Sequence, residues 1–243
     1  MSAARLFEVA EINLPFVGGS WRFAETEAKR IAERWRARVV ANPRLYNGRV
    51  VMLGAHAIET LADGARVLTG GCFETDYASF MAWRDFGFPD REAFNVFAMA
   101  ALIGADGGFL LGEMAAHTSN AGAIYFPAGT PGPEDVFDGR LDLTASATRE
   151  LAEETGVAAS EVAFGPTWTV VYAPPRIACM KLMRLAEPAE AAKARIEAFL
   201  AADRDAELAA IHIARRFEDV DEKRTPPFAV EFLRFAFAHR PVG

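Results

Sequence analysis

The sequence predicts an α/β protein preceded by an α+β extension, and three observations carry that expectation. The run from Val96 to Gly104 is apolar without alternation, as a strand buried on both faces of a sheet should be. A turn over residues 105–108 and a returning strand over 109–113 follow it. Further on, a segment with apolar residues at Leu143, Ala147 and Leu151 repeats every fourth position, the mark of a helix face. Upstream of both, one helical stretch and two alternating stretches fill the first ninety residues. The expected organisation is therefore an α+β extension over 1–90, packed on a core domain over 91–243.

The elements follow in order. Residues 22–40 have apolar positions at Ala24, Ala28, Ile31, Ala32 and Trp35 and read as one helix, stopped by Asn42-Pro43. Residues 48–58 and 64–73 alternate as strands around Asp63-Gly64. A short helix follows from Thr75 to Phe86, with Thr75 or Asp76 as its cap. After the central strand pair and the 143–151 stripe, residues 161–172 and 176–184 read as strands separated by Pro174-Pro175. Residues 188–203 form an amphipathic helix, 208–217 a strand, and Pro226-Pro227 opens a last helix over 228–239. There is no internal repeat and no low-complexity linker.

Composition narrows the function classes. The chain has 243 residues, is 51% hydrophobic and carries a net charge of −7. An acidic balance argues against broad nucleic-acid binding, which wants a basic face. It does not exclude phosphate substrates, because a bound cation inverts the local charge. No window of eighteen apolar residues marks a membrane helix, and the N-terminus does not read as a signal peptide. The expectation is a cytoplasmic protein that uses neither membrane nor nucleic acid. The two cysteines, Cys72 and Cys179, are too few and too far apart for a disulfide framework or zinc cluster. His56, His117, His212 and His239 show no ligand spacing, and only His117 falls near the candidate site.

The chemistry concentrates in residues 149–157, Arg-Glu-Leu-Ala-Glu-Glu-Thr-Gly-Val. On a helix, residues three and four apart share a face, so Glu150, Glu153 and Glu154 should converge. Three carboxylates that close repel one another unless a cation sits among them, and carboxylate oxygens are the preferred ligands of hard cations such as Mg²⁺. Gly156 stands where a helix C-terminal glycine belongs, and either Asp142 or Thr144 can cap the start. Carboxylates in a last turn oppose the helix dipole, so local stability does not explain them. The 143–151 stripe should hold the helix to the core while the glutamates project away from it.

This stretch resembles the second half of the Nudix box, G-x5-E-x7-R-E-U-x-E-E-x-G-U with U a bulky aliphatic residue. Leu151 and Val157 fill the two U positions. The first half departs from the pattern: at normal spacing the box Gly falls on Asp135 and the first Glu on Leu141. A better alignment starts at Phe126-Pro127-Ala128-Gly129, similar to the P-G-G run that usually opens the box. Five-residue spacing from Gly129 then lands on Asp135, beside Glu134. The thirteen residues 136–148 stand where the family has seven.

The resemblance implies an α/β/α sandwich with a mixed sheet. It also implies a hydrolase that cleaves a nucleoside diphosphate linked to another group, using Mg²⁺ or Mn²⁺. It makes Glu150, Glu153 and Glu154 the metal ligands, with Asp135 a further candidate. Arg149 would orient a glutamate, and Glu153 or Glu154 would serve as base, unless the base comes from the later acidic run over 218–222. Gly129, Tyr77 and Arg84 are the candidate substrate contacts, with Trp83 beside them. The order of elements over 30–85 is similar to the N-terminal module of UDP-glucose-hydrolysing Nudix proteins, which points to nucleotide sugars. The resemblance leaves a homodimer open. The reading from another class is a non-catalytic Nudix-like module that binds a nucleotide metabolite.

Overall fold

The computed structural model describes residues 4–239; the outermost ends of the two expected domains, 1–3 and 240–243, lie outside them. The chain opens with β1 (Arg5–Val9) and β2 (Glu11–Asn13), then α1 (Arg22–Thr26) and α2 (Ala28–Ala41). β3 (Arg49–Thr60) and β4 (Arg66–Asp76) form a long antiparallel pair, and α3 (Tyr77–Asp85) follows without a loop. Asp76 caps α3 by accepting the Ser79 N–H at 2.9 Å. The helix expected over 22–40 is two: Glu27 leaves helical geometry at φ −102°, ψ 10°, while Phe23 and Ile31 on either side of it are both buried.

The central pair is β5 (Asn95–Ile103) and β6 (Phe109–Met114), as expected. Then come β7 (Ile124–Tyr125), a small hairpin of β8 (Val136–Phe137) and β9 (Arg140–Leu141), and α4 (Leu143–Thr155). The chain closes with β10 (Val162–Ala173), β11 (Arg176–Leu185), α5 (Ala189–Ala202), β12 (Leu208–Ala214) and α6 (Pro227–Ala238).

Seven strands make one mixed sheet in the order β1-β10-β11-β5-β6-β12, with β7 on β6. β11 and β5 run parallel, from Arg176 opposite Asn95 to Arg184 opposite Ile103, and the other pairings are antiparallel. Helix α4 packs on β5 and β11, α5 on β12, and α6 on β10. The α/β class with a mixed sheet is the one expected. A smaller sheet, β2-β4-β3, belongs to the extension.

Chain on the two sides of residue 90 is joined by strand pairing and by packing. β1 is an edge strand of the large sheet, pairing Arg5 with Tyr172 through Val9 with Trp168. β3 also serves two cores, because alternate residues of a strand face opposite sides. Val51 and Leu53 join the main core, while Val50 and Met52 face a second one with Trp21, Phe80 and Trp83. The extension is thereby stitched to the main sheet, which fixes the ground on which the site rests.

Candidate active site

The site is built where α4 meets the loop after β7. Asp142 caps α4, its Oδ1 accepting the N–H groups of Thr144 at 2.8 Å and Ala145 at 3.0 Å. Gly156 ends it in the left-handed region at φ 71°, where glycine has no Cβ penalty. Leu143, Ala147 and Leu151 are fully enclosed and anchor the helix on the sheet.

The loop facing α4 is pinned at two points. The Ala100 N–H on β5 donates to the Pro127 carbonyl at 3.1 Å, and the Val51 N–H on β3 donates to the Pro131 carbonyl at 2.7 Å. Between those pins, the Ala128 N–H donates to Glu154 Oε1 at 3.3 Å. Gly129 lies against Glu150, and a Cβ there would overlap its carboxylate.

The pinned loop changes the expected exposure of the glutamates. Glu154 does not project away from the core; it is 5% exposed. The side chain of Glu150 is 13% exposed, and that of Glu153 is 60% exposed at the rim. The charge of Glu153 bears on both Glu150 and Glu154, but only Glu150 and Glu154 are enclosed. Burial pushes the Glu150 carboxyl up to about 7, and the charge of Glu153 adds to it against the pull of Arg149. Burial also holds Glu154 well above the usual carboxylate range, with Glu150 reinforcing it. Its Oε2 is buried with no hydrogen-bond partner.

Asp135, the further candidate ligand, is taken up by Arg149 and the Gly132 N–H. A 3₁₀ turn, Pro133–Asp135, carries it inward until it is 1% exposed. Arg149 grips it with Nε to Oδ1 at 3.2 Å and Nη2 to Oδ2 at 2.9 Å, and the Gly132 N–H donates to Oδ2 at 3.1 Å. Nη1 of Arg149 meets Glu150 Oε1 at 2.8 Å and Glu153 Oε2 at 3.1 Å. Burial pulls the Arg149 pKa down, but the Asp135 bond and the charges of Glu150, Asp135 and Glu153 outweigh it and hold it above its ordinary value. The insertion expected before α4 is the β8–β9 hairpin. Its Asp138-Gly139 corner has φ 48° and 71°, the two successive positive values of a type I′ turn.

The donor set fits a hard cation. Among the described residues no three His, Cys, Asp or Glu side chains are grouped so as to hold a metal. Mg²⁺, however, is usually held by one or two carboxylates, with waters and substrate phosphates completing its shell. Glu150 and Glu154 would supply that pair, and Glu154 Oε2 is the oxygen that lacks a partner.

The remaining candidates fall in several places. Glu207, just before β12, was not singled out by the sequence, yet its charge reaches Glu150, Glu154 and Tyr125. Nothing local marked it, since its place depends on the Ala115 N–H holding its carbonyl at 2.8 Å. In the later acidic run, Asp219, Asp221 and Glu222 are taken up by Arg216, Arg224 and Arg234. His117 lines a cleft with Glu197 and Arg204. Tyr77 packs on Trp35 and Phe80 in the extension, and Trp83 is a core residue bonded to the Asp90 carbonyl. Arg84, by contrast, lies within electrostatic reach of Tyr125.

No family model matches the chain, and no curated protein matches it. Solved structures do. One is a Nudix hydrolase from M. smegmatis, RenU, at 14% identity and a TM-score of 0.40, matched over 61% of this chain and 87% of that one. Another is the MutT protein from Methanosarcina mazei Go1, at 17% identity and a TM-score of 0.36, matched over 61% and 96%. A third is a pyrophosphohydrolase from Bacillus subtilis, at 14% identity and a TM-score of 0.29, matched over 54% and 66%. These are likenesses of arrangement, and the chemistry of this chain rests on its own residues.

Proposed function

We propose that the protein is a divalent-metal-dependent hydrolase that cleaves the diphosphate linkage of a nucleoside diphosphate derivative, with nucleotide sugars the first class to test. One observation carries the reading: Glu150 and Glu154 are enclosed side by side, and Glu154 Oε2 lacks any partner. Burying two carboxylates close together is costly, and the Arg149 contact with Glu150 and the Ala128 N–H on Glu154 leave Glu154 Oε2 unanswered.

In this reading Glu150 and Glu154 hold Mg²⁺ or Mn²⁺, and Glu153 at the rim contributes through water or substrate. Such an ion lowers the pKa of bound water and neutralises phosphoryl oxygens. The protein supplies positioning and charge, the bulk of phosphoryl-transfer catalysis. Arg149, locked by Asp135, sets the orientation of Glu150 and Glu153. Gly129 lets the loop backbone approach Glu150. Glu153 or Glu154 would accept a proton from the attacking water.

The test is a panel of nucleotide sugars, ADP-ribose, dinucleoside polyphosphates, coenzyme A and nucleoside triphosphates, with and without Mg²⁺. Turnover of one class that needs the ion and disappears in Glu154→Gln supports the reading. Tight binding with no turnover under any divalent ion would leave a nucleotide-binding module in its place.

A further inference from the structure

Four arginines among the described residues are half-buried: Arg38, Arg84, Arg149 and Arg176. Two have acids. Arg38 holds Asp85 at 2.5 Å and Arg149 holds Asp135. Arg84 and Arg176 have no carboxylate within ion-pair reach among the described residues, in a chain with 33 acidic side chains. Their guanidinium groups lie over rings instead. Arg84 sits 5.6 Å from the Phe80 centroid with Nη1 3.7 Å from Met81 Sδ, and Arg176 sits 5.2 Å from the Phe88 centroid.

The Gly87-Phe88 corner joins the two. Gly87 N–H donates to the Arg84 carbonyl at 3.1 Å, and Phe88 N–H donates to the Trp83 carbonyl at 2.8 Å. Both residues are left-handed, at φ 77° and 60°. That conformation is uncommon for a bulky side chain and costs free energy. It sets the Phe88 ring edge-on to Trp83 at 4.8 Å and beneath Arg176. Burial lowers the pKa of Arg176, and the neighbouring charge of Arg84 lowers it further. Two like charges are thus brought together, half out of water, with no counter-charge.

We propose that Arg84 and Arg176 form a phosphoryl-binding subsite, shaped by the Gly87-Phe88 corner, that receives a phosphate of the substrate. Guanidinium forks match phosphate and carboxylate oxygens bidentately. A phosphoryl group offers two forks more oxygens, and more charge, than a carboxylate does. Arg84 and Glu154 both bear electrostatically on Tyr125. The inference rests on the diphosphate reading of the site, but its test does not need turnover.

The experiment is calorimetric titration of inorganic pyrophosphate into the full chain in EDTA. It compares the unaltered protein with Arg84→Gln, Arg176→Gln and the exposed control Arg91→Gln. Binding should weaken tenfold or more in the first two variants and stay within twofold in the control. Should Arg176→Gln fail to fold, Arg176→Lys keeps the charge, loses the fork, and should still weaken binding severalfold. Glu154→Gln should bind pyrophosphate at least as well as the unaltered protein, since it removes no arginine. No binding to the unaltered protein, or unchanged binding in both arginine variants, would overturn the subsite. If the subsite holds while the substrate panel shows no turnover, the hydrolase reading falls alone.

Discussion

Arg149 and Asp135 are joined by two parallel hydrogen bonds, at 3.2 and 2.9 Å, with Asp135 1% exposed. The pair fastens the inserted loop to the carboxylate helix. Removing Asp135 leaves Arg149 with Glu150 and Glu153 but takes the acceptor from its fork and from the Gly132 N–H, at a cost of about 1.5–3 kcal/mol. Asp135→Ala should lose stability on that order in urea denaturation, and Arg149→Lys should lose about tenfold in kcat because the fork is gone. A variant Asp135→Ala within about 1 kcal/mol of the unaltered protein would show that the pair is not a fastening.

Gly129 tests the close approach of loop and helix. Gly129→Ala places a Cβ on the Glu150 carboxylate, so the glutamate must swing away. Activity should fall at least tenfold, because displacements near 1 Å at a reacting centre cost on the order of 100-fold. Melting temperature should change little, since the displaced group can move toward solvent. Full activity in this variant would remove Glu150 from the site.

The raised carboxyls give a pH dependence with a definite sign. Glu150 moves from 4.5 in the unfolded chain to about 7 in the folded one, so between those values the folded state holds a proton that the unfolded state has released. Stability in EDTA should therefore fall as pH rises through that window, by up to about 3 kcal/mol from Glu150. Glu154 acts in the same direction. Carboxylates held low by arginines, such as Asp85, act the other way at lower pH. The readout is thus the difference between the unaltered protein and Glu150→Gln. That difference should grow from pH 4.5 to 7, and a flat difference would contradict the burial of Glu150.

The β8–β9 hairpin offers a control. Gly139 is left-handed, so Gly139→Ala should cost about 1 kcal/mol and leave the chemistry unchanged. Lost activity with unchanged stability would place the hairpin in the site itself.

Much of the carboxylate helix was legible in the sequence because its signals are local. Asp142, the Leu143-Ala147-Leu151 stripe and Gly156 each act within a turn or two. The burial of Glu154 was not legible, since it depends on Ala100 and Val51, far away in sequence, pinning the loop above it. The partnership of Arg149 with Asp135 is likewise tertiary. The Asp138-Gly139 corner of the hairpin is a local turn signal. β1 was missed because its pairing with β10 spans most of the chain and its five residues alternate weakly. The split at Glu27 had no breaker residue to announce it.

The most direct test is the position of Mn²⁺ in a crystal soaked with the ion and located by anomalous scattering. The expected result is a peak within coordination distance of Glu150 and Glu154, about 2.0–2.3 Å from their oxygens, that is absent in Glu154→Gln. A fully occupied ion remote from both glutamates, or an unchanged peak in that variant, would contradict the assignment.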